Sequence, residues 1–352
     1  MIDWTAAMQQ TFEYYMVDPI TWKDTKQINT VITSSISRDL EAETLGSASI
    51  VTTEIIGECY IRIYLITIQN GIKERHPLGT YMVQTPSYSF DGKVKNVTID
   101  AYTPLIELKE TQPPLGYSIE KNENILDAAY DILTKNMRAP IIRSSKDTTL
   151  SVDFVANLDD TWASFIIDLL ANTDINLELD ELGRVMFSPE QTLDSMQPVW
   201  TFDASNSSIL YNDFDVENDL YGIPNVVEVI YSNGEESVWV KAINDDPNSP
   251  VSTINRGRKI SHRITDPKVA GNISERDIQE YANKMLRKLS AVEFTVAFKH
   301  GYCPVRVGDC IRINYEDAGL SNIKARIIKQ SITCEPGCPV TTKAVFATEL
   351  WR

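Results

Sequence analysis

Four cysteines crowd the C-terminal part of this 352-residue chain: Cys303, Cys310, Cys334 and Cys338. As thiolates, such a set can hold a zinc ion. Structural zinc sites supply their ligands as pairs two to four residues apart, and only "CEPGC" (334–338) obeys that spacing. Turn grammar gives the pentapeptide a second reading. Pro336 presets φ near −65° and Gly337 supplies the positive φ of a type II turn, so Glu335-Pro336-Gly337-Cys338 is expected to be a hairpin tip. That turn leaves Cys334 and Cys338 diagonal to each other, a poor geometry for a disulfide. Cys310 lies in a strand pattern, "CIRINY", where a small buried thiol needs no further role. A hairpin tip without metal is the expectation, and a four-cysteine site stays open beside it.

The other candidates for chemistry are few. The histidines are His76, His262 and His300. None falls in a metalloprotease, nucleophile-elbow, Walker or dinucleotide motif. Cys59 precedes a histidine at a spacing a cysteine hydrolase can use, yet "ECYIRIYLI" reads as a strand and Cys59 as a core residue. His300 closes the strand pattern "EFTVAFKH" and is expected to be exposed at its end. Paired carboxylates for glycoside hydrolysis are a matter of geometry that 49 acidic residues cannot settle by sequence. The expectation is therefore no catalytic residue, no cofactor and no metal.

The elements that surround these residues are mostly strands. "CYIRIYLITIQNGIKE" alternates around Asn70-Gly71, a strong hairpin signal. "GTYMVQTPSYSF" and "KVKNVTIDAY" flank Asp91-Gly92 as a second hairpin, and Pro113-Pro114 breaks the pattern. Helical spacing then takes over. Ile125, Ala128, Ala129, Ile132 and Leu133 form one apolar face, and Trp162, Phe165, Ile166, Leu169 and Leu170 a second, with Asp159 or Asp160 expected as its cap. "INLELDELGRVMFSP" reads as two strands about Gly183. From residue 201 strands return: "PNVVEVIYSNGEESVWVKAI" is a hairpin about Asn233-Gly234. "INDDPNSPVSTINRGRK" reads as an exposed loop. Ser274 and Asp277 form a capping box for a helix whose apolar face is Ile278, Ala282, Met285, Leu289 and Val292. The first 20 residues, with Phe12, Tyr14 and Tyr15, match no pattern.

Composition bounds the rest. Hydrophobic residues make up 43% and charged residues 23%, enough to bury real cores. No apolar run approaches the length of a membrane span, and "MIDWTAAMQQ" lacks the features of a secretory signal, so a cytosolic product is expected. A reducing cytosol also disfavours disulfides among five cysteines. A net charge of −16 argues against tight binding of a phosphate backbone.

The stretches 81–102 and 326–347 echo each other: apolar strand, Ser-containing strand end, tight turn, Val/Thr-rich strand. They suggest two copies of one β module around an α+β insert. "DLYGIPNVVEVIYSNGEE", then a loop and a helix, then "YCPVRVGDCIRINYED" and a terminal hairpin, resemble the baseplate hub proteins of phage tails, the late-control-protein-D type shared with related injection machines. The mid-chain helix and "INLELDELGRVMFSP" resemble that family's insert.

The resemblance implies a mainly β fold with an α+β insert and two tube-type β-barrel modules: the first barrel at 1–112, the insert at 113–200 and the second barrel, with one helix, at 201–352. It implies a homotrimer that forms a ring of six barrels. That ring continues a hexameric tail tube and joins it to a three-fold spike or tail-tip protein. A tube protein or tube initiator lies above, and the tape measure protein and DNA pass through the lumen without specific binding. Assembly in the host cytoplasm, a place in the virion tail and no membrane partner follow. With the sequence ending at Trp351-Arg352, no lytic extension is expected. "KVKNVTIDAY" and "TTKAVFATEL" are expected near barrel edges, with Val97, Ile99, Val345 and Phe346 supplying apolar contacts or core. A tail-associated cell-wall hydrolase and a carbohydrate-binding tail-tip module are the alternatives.

Overall fold

The computed structural model describes residues 2–90, 92–93, 95–144, 148–150, 152–205, 207–218, 221–232, 237–265, 274–290 and 293–347. The fold is mainly β, with few helices. It divides into two compact units: Met1–Phe214 with Ala297–Ala344, and Asp215–Val296 with Val345–Arg352.

The first unit begins with β1 (Gln9–Val17), β2 (Asp24–Gln27), β3 (Val31–Asp39), β4 (Gly46–Thr52), β5 (Tyr60–Gln69), β6 (Ile72–Phe90) and β7 (Lys95–Tyr102). The β5–β6 hairpin closes in two residues between the pair Gln69↔Ile72, with Asn70 at φ 53° and Gly71 at φ 78°. Two consecutive positive φ values define the type I′ turn that Asn-Gly favours. The β6–β7 pairing runs out to Phe90↔Lys95, while Asp91 of the expected turn lies outside the described residues.

The first residues, which matched no pattern, are structural. β1 pairs antiparallel with β5 along its whole length, and Tyr14 enters the main core. Phe12 packs at the margin of that core.

The chain continues as α1 (Ile106–Lys109), β8 (Ser118–Ile119), α2 (Ile125–Asn136), β9 (Phe154–Val155), α3 (Trp162–Leu170), β10 (Ile175–Leu179) and β11 (Val185–Pro189). Both expected apolar faces pack into one core, although Ala128 is only partly buried. The cap of α3 differs from expectation. Thr161, not Asp159 or Asp160, accepts from Ser164 N at 3.2 Å while Ser164 Oγ accepts from Thr161 N at 3.0 Å. Asp160 instead accepts from Asn157 N in the preceding turn. A carboxylate one residue early cannot reach the N3 amide, whereas a Thr/Ser pair three apart satisfies two orphan donors reciprocally. The β10–β11 hairpin turns at Gly183, φ 74°, as its sequence predicts.

The chain continues through β12 (Trp200–Asp203), β13 (Leu210–Asn218), β14 (Val226–Ser232), β15 (Ser237–Ile243), α4 (Thr253–Arg256), β16 (Ser261–Thr265), α5 (Glu275–Leu289), β17 (Glu293–Gly301), β18 (Cys310–Tyr315), β19 (Leu320–Thr333) and β20 (Pro339–Ala347). The echoed segments form hairpins β6–β7 and β19–β20 of the same large sheet. Its order is β13-β17-β20-β19-β3-β4-β7-β6-β5-β1-β2, with β18 on β19 and β12 on β18.

Among the described residues that path stays open, and no closed barrel is formed. The reason lies at β3, whose outer side pairs with β19 through Ile36↔Ile332 and its neighbours, so the second β region occupies the edge with which the first would close. β7 and β20 are also interior strands, each flanked on both sides, rather than edge strands. Val97, Ile99 and Phe346 are nevertheless buried, and Val345 is half-buried.

In the second unit, the sheet order is β15-β14-β16 and α5 covers one face. Ser274 and Asp277 form the expected capping box. Ile278, Ala282 and Leu286 are buried, Met285 and Leu289 are partly buried, and Val292 and the Asn233-Gly234 turn lie outside the described residues. The expected exposed loop is exposed at Asp245, Pro247, Asn248, Asn255, Arg258 and Lys259, and it folds over buried amides. Asn225 donates to Val251 O and Arg258 O and accepts from Ile260 N, while Asn244 donates to Ser249 Oγ. Ser249, Val251 and Ser252 are fully buried, and α4 caps the segment. Composition alone did not reveal that Asn244, Ser249 and Ser252 of this loop are buried, with their side chains satisfied by partners within the protein.

Candidate functional site

The cysteines do not converge on a common centre. Cys334 and Cys338 lie at the β19–β20 tip, where Cys338 N donates to Glu335 O at 2.8 Å and Gly337 has φ 91°, the expected turn. Both are buried against Tyr14, Tyr302 and Val340 in the core of the first unit. Tyr14 Oη and Ser34 Oγ lie 2.8 Å apart beside them, and Cys334 N donates to Ser34 O. Cys310 opens β18 and directs its thiol to Ile311 O at 3.8 Å. Cys303 is buried with its Sγ 4.0 Å from His300 Nδ1.

Burial pushes the Cys334 thiol up to about 11 and raises those of Cys303, Cys310 and Cys338 as well. Cys59 is half-buried at the head of β5, and burial raises its thiol to about 11. Such thiols stay protonated at neutral pH, which suits packing rather than nucleophilic attack. All five are free, and among the described residues no group of three or more His, Cys, Asp or Glu is placed to hold a metal ion.

His300 is not at an exposed strand end. It is fully buried, with its ring against Phe202 and Phe298. Nδ1 donates to Gly301 O at 2.6 Å, and the Thr342 hydroxyl donates to Nε2 at 2.8 Å. Burial lowers its pKa to about 4, so the ring is neutral at pH 7 with both nitrogens engaged. A base so placed has no path to a substrate. Strand alternation extended to the last residue of "EFTVAFKH" carried the signal for burial, and polarity of the residue type obscured it.

A cavity of about 340 Å³ lies within the first unit, lined by β3, β6, the β10–β11 hairpin and the 306–309 turn. Its charged groups are mostly tied to one another. Arg38 donates to Gln330 Oε1 and Leu78 O. Arg306 pairs with Glu181 at 3.4 Å, and its backbone amide donates to Asp309. Asp180 accepts from Arg184 Nε and N. Burial raises the Asp309 carboxyl. Among the described residues, Arg326 Nε is buried without a hydrogen-bond partner. The arrangement is a structural ion-pair lining; its Asp180 and Glu181 carboxylates are occupied in holding arginines.

Sequence reasoning also missed a cluster at the far edge of the large sheet. Asp24 on β2 accepts from Arg62 at 2.8 Å, Tyr64 at 2.7 Å and Arg75 at 3.1 Å. Arg75 stacks on Tyr64 and Tyr15. Arg62 and Trp22 both donate to Leu182 O in the β10–β11 turn. These contacts fasten an edge strand of four residues that could not hold its place by ladder bonds alone. Their residues are scattered over 160 positions, leaving no local motif to read.

No family model matches the sequence, and no curated protein does. Solved structures do share its fold. A tail protein from Neisseria meningitidis superposes with a TM-score of 0.72 at 11% identity, over 97% of this chain and 97% of its own. The 43 kDa tail protein of prophage MuSo2 from Shewanella oneidensis gives 0.67 at 11% identity, over 96% and 98%. An Escherichia coli component of the type VI secretion system, described as structurally similar to the phage T4 tail proteins gp27 and gp5, gives 0.50 at 8% identity, over 92% and 76%. The chain thus has the fold of phage tail proteins.

Proposed function

We propose that this chain is a structural hub of a phage tail tip or baseplate, of the late-control-protein-D type. The observation that carries the reading is the correspondence of nearly the whole chain, 97% of each partner, with a solved tail protein. A shared catalytic or binding domain alone would give partial coverage. The interior chemistry agrees: the thiols and His300 are packed, and the cavity's Arg38, Arg306, Asp180 and Glu181 are paired with one another or with their neighbours.

In this reading residues 1–112 and 201–352 are the two tube-type modules and 113–200 the insert. The echoed hairpins β6–β7 and β19–β20 support the pairing of modules. An open sheet path in one chain suits modules completed by neighbouring copies in a ring. Three copies with two modules each supply six similar edges, matching a hexameric tail tube on one side and a three-fold spike or tail-tip protein on the other. The lumen passes the tape measure protein and DNA, and a net charge of −16 disfavours adhesion of phosphate. Assembly takes place in the host cytoplasm and the product resides in the virion tail. Among the described residues no helix is long and apolar enough to cross a membrane.

Mass measurement of the purified chain, alone and with tube protein, followed by class averages viewed down the particle axis, tests the reading. A trimer with six similar densities is expected. A particle monomeric under both conditions would overturn it, as would a cleared band on a bacterial cell-wall zymogram that one carboxylate substitution abolishes.

A further inference from the structure

Two leucines of the first unit stand almost wholly in solvent: Leu115 is 85% exposed and Leu158 81%. Each occupies the second position of a β-turn. Tyr117 N donates to Pro114 O with Gly116 at φ 76°, and Asp160 N donates to Asn157 O. The two turns lie side by side. β8 and β9 pair antiparallel through Ser118↔Val155, Ala156 N donates to Tyr117 O, and Trp162 N donates to Thr111 O. These ties share one register, and that register sets Leu115 opposite Leu158. Val155, also exposed, adjoins them on β9. Turn corners favour Gly, Pro, Asn, Asp and Ser, and a single exposed leucine at one of them would be ordinary. Two leucines brought together by remote segments form a patch.

The charges around the patch have one sign. No Lys or Arg occurs between Lys109 and Lys121, or between Lys146 and Arg184. Lys109 is held by Glu43 at 2.8 Å, and Lys121 lies beyond β8. Glu110 and Asp159 flank the turns, exposed, and neither carboxylate enters an ion pair or side-chain hydrogen bond among the described residues. Asp160 turns its carboxylate to Asn157 N within its own turn.

We infer that the Leu115–Leu158 patch docks a second protein through an apolar surface rimmed by Lys or Arg. Carboxylates beside the leucines repel an anionic lipid surface, and patch against patch between two copies sets acid on acid. A basic rim is the one that the unpaired Glu110 and Asp159 favour. The ties on both sides of the turns hold the leucines in place before any partner arrives, so little order is lost on binding. The inference goes beyond the hub reading and holds whether or not a ring forms.

The test uses the full chain with two labelled probes: an amphipathic helical peptide of leucine and lysine, and its leucine–glutamate counterpart. Fluorescence anisotropy at about 0.1 M salt is expected to show binding of the first and not of the second. Leu115→Ser with Leu158→Ser should weaken the first at least about tenfold. Glu110→Lys with Asp159→Lys should weaken it about threefold or more. All four residues are exposed, and thermal melting confirms that each variant folds. Binding that survives loss of both leucines, or equal binding of the two peptides, would overturn the inference. So would leucine-dependent binding to phosphatidylcholine vesicles, with or without phosphatidylglycerol, which would make the occupant a membrane. Leucine-dependent self-association in sedimentation would overturn it too, by making the occupant a second copy. A chain that forms no trimer yet keeps the leucine-dependent binding would sink the hub reading alone.

Discussion

The β6–β7 and β19–β20 hairpins share a sequence pattern and a glycine at φ 91° near the tip, Gly92 in one and Gly337 in the other. Their surroundings are opposite. The end of β6 is exposed on both faces from Thr85 onward, with Tyr88 and Phe90 about two-thirds accessible. In β19–β20 the turn residues Glu335, Pro336 and Gly337 are also exposed, but Cys334 and Cys338 on either side of them are buried in the core with Tyr14. A hairpin is thus a local product of turn and alternation, while burial of the residues that flank its turn depends on a strand more than 300 positions away in the chain. β1 makes the difference, and the cysteines follow from it: they are the small apolar residues that fit beneath a tyrosine.

The most severe way to break this asymmetry is Tyr14→Ala. Loss of a buried ring with its hydroxyl contact to Ser34 is expected to cost about 3–5 kcal/mol in denaturant unfolding. The same variant should label faster at Cys334 and Cys338 with a thiol reagent, and unchanged labelling would show that β1 does not guard the tip.

His300 gives the next effect, as a dependence on pH. Its folded pKa of about 4 lies below the ordinary value of 6.5, so the unfolded chain binds the proton first. Stability is then fully present above about pH 6.5 and falls as pH drops toward 4, by on the order of 3 kcal/mol. His300→Gln, compared with the unaltered chain by melting across that range, should lack this portion of the slope. Parallel slopes would place the titration elsewhere.

A sharper comparison substitutes the two tip glycines. An added Cβ meets nothing within 4 Å at either site, so only the backbone resists. Gly337→Ala is expected to cost roughly 1–2 kcal/mol because the buried Cys334 and Cys338 on either side hold the exposed turn in the left-handed region. Gly92→Ala should cost less, since the exposed end of β6 beside it relaxes locally. Equal costs in paired melting curves would erase the distinction. The smallest effect belongs to the double change Tyr88→Ser with Phe90→Ser. In the isolated chain it should shift stability by no more than about 0.5 kcal/mol, because exposed side chains lose little on removal. A large loss by the same melting measurement would mean that the β6 end is anchored in the monomer.

Local chemistry was legible in the residues wherever a rule acts over a few positions. Asn70-Gly71 specified a type I′ turn, Glu335-Pro336-Gly337 a tight tip, Ser274 with Asp277 a capping box, and the 3.6-residue spacing of Trp162 to Leu170 a helix. Each of these is decided by dihedral preference or by a side chain reaching its own backbone, so neighbours in sequence suffice.

The joining of β3 to β19, the interior places of β7 and β20, the buried His300 and the amides beneath "INDDPNSPVSTINRGRK" were decided by the tertiary structure alone. The physical reason is common to all of them. A strand shows the same alternation whether its edge is free or paired. A polar side chain likewise reads the same whether water or a distant partner satisfies it. Only when remote segments meet does the balance between desolvation and a new hydrogen bond settle which of the two the molecule adopts.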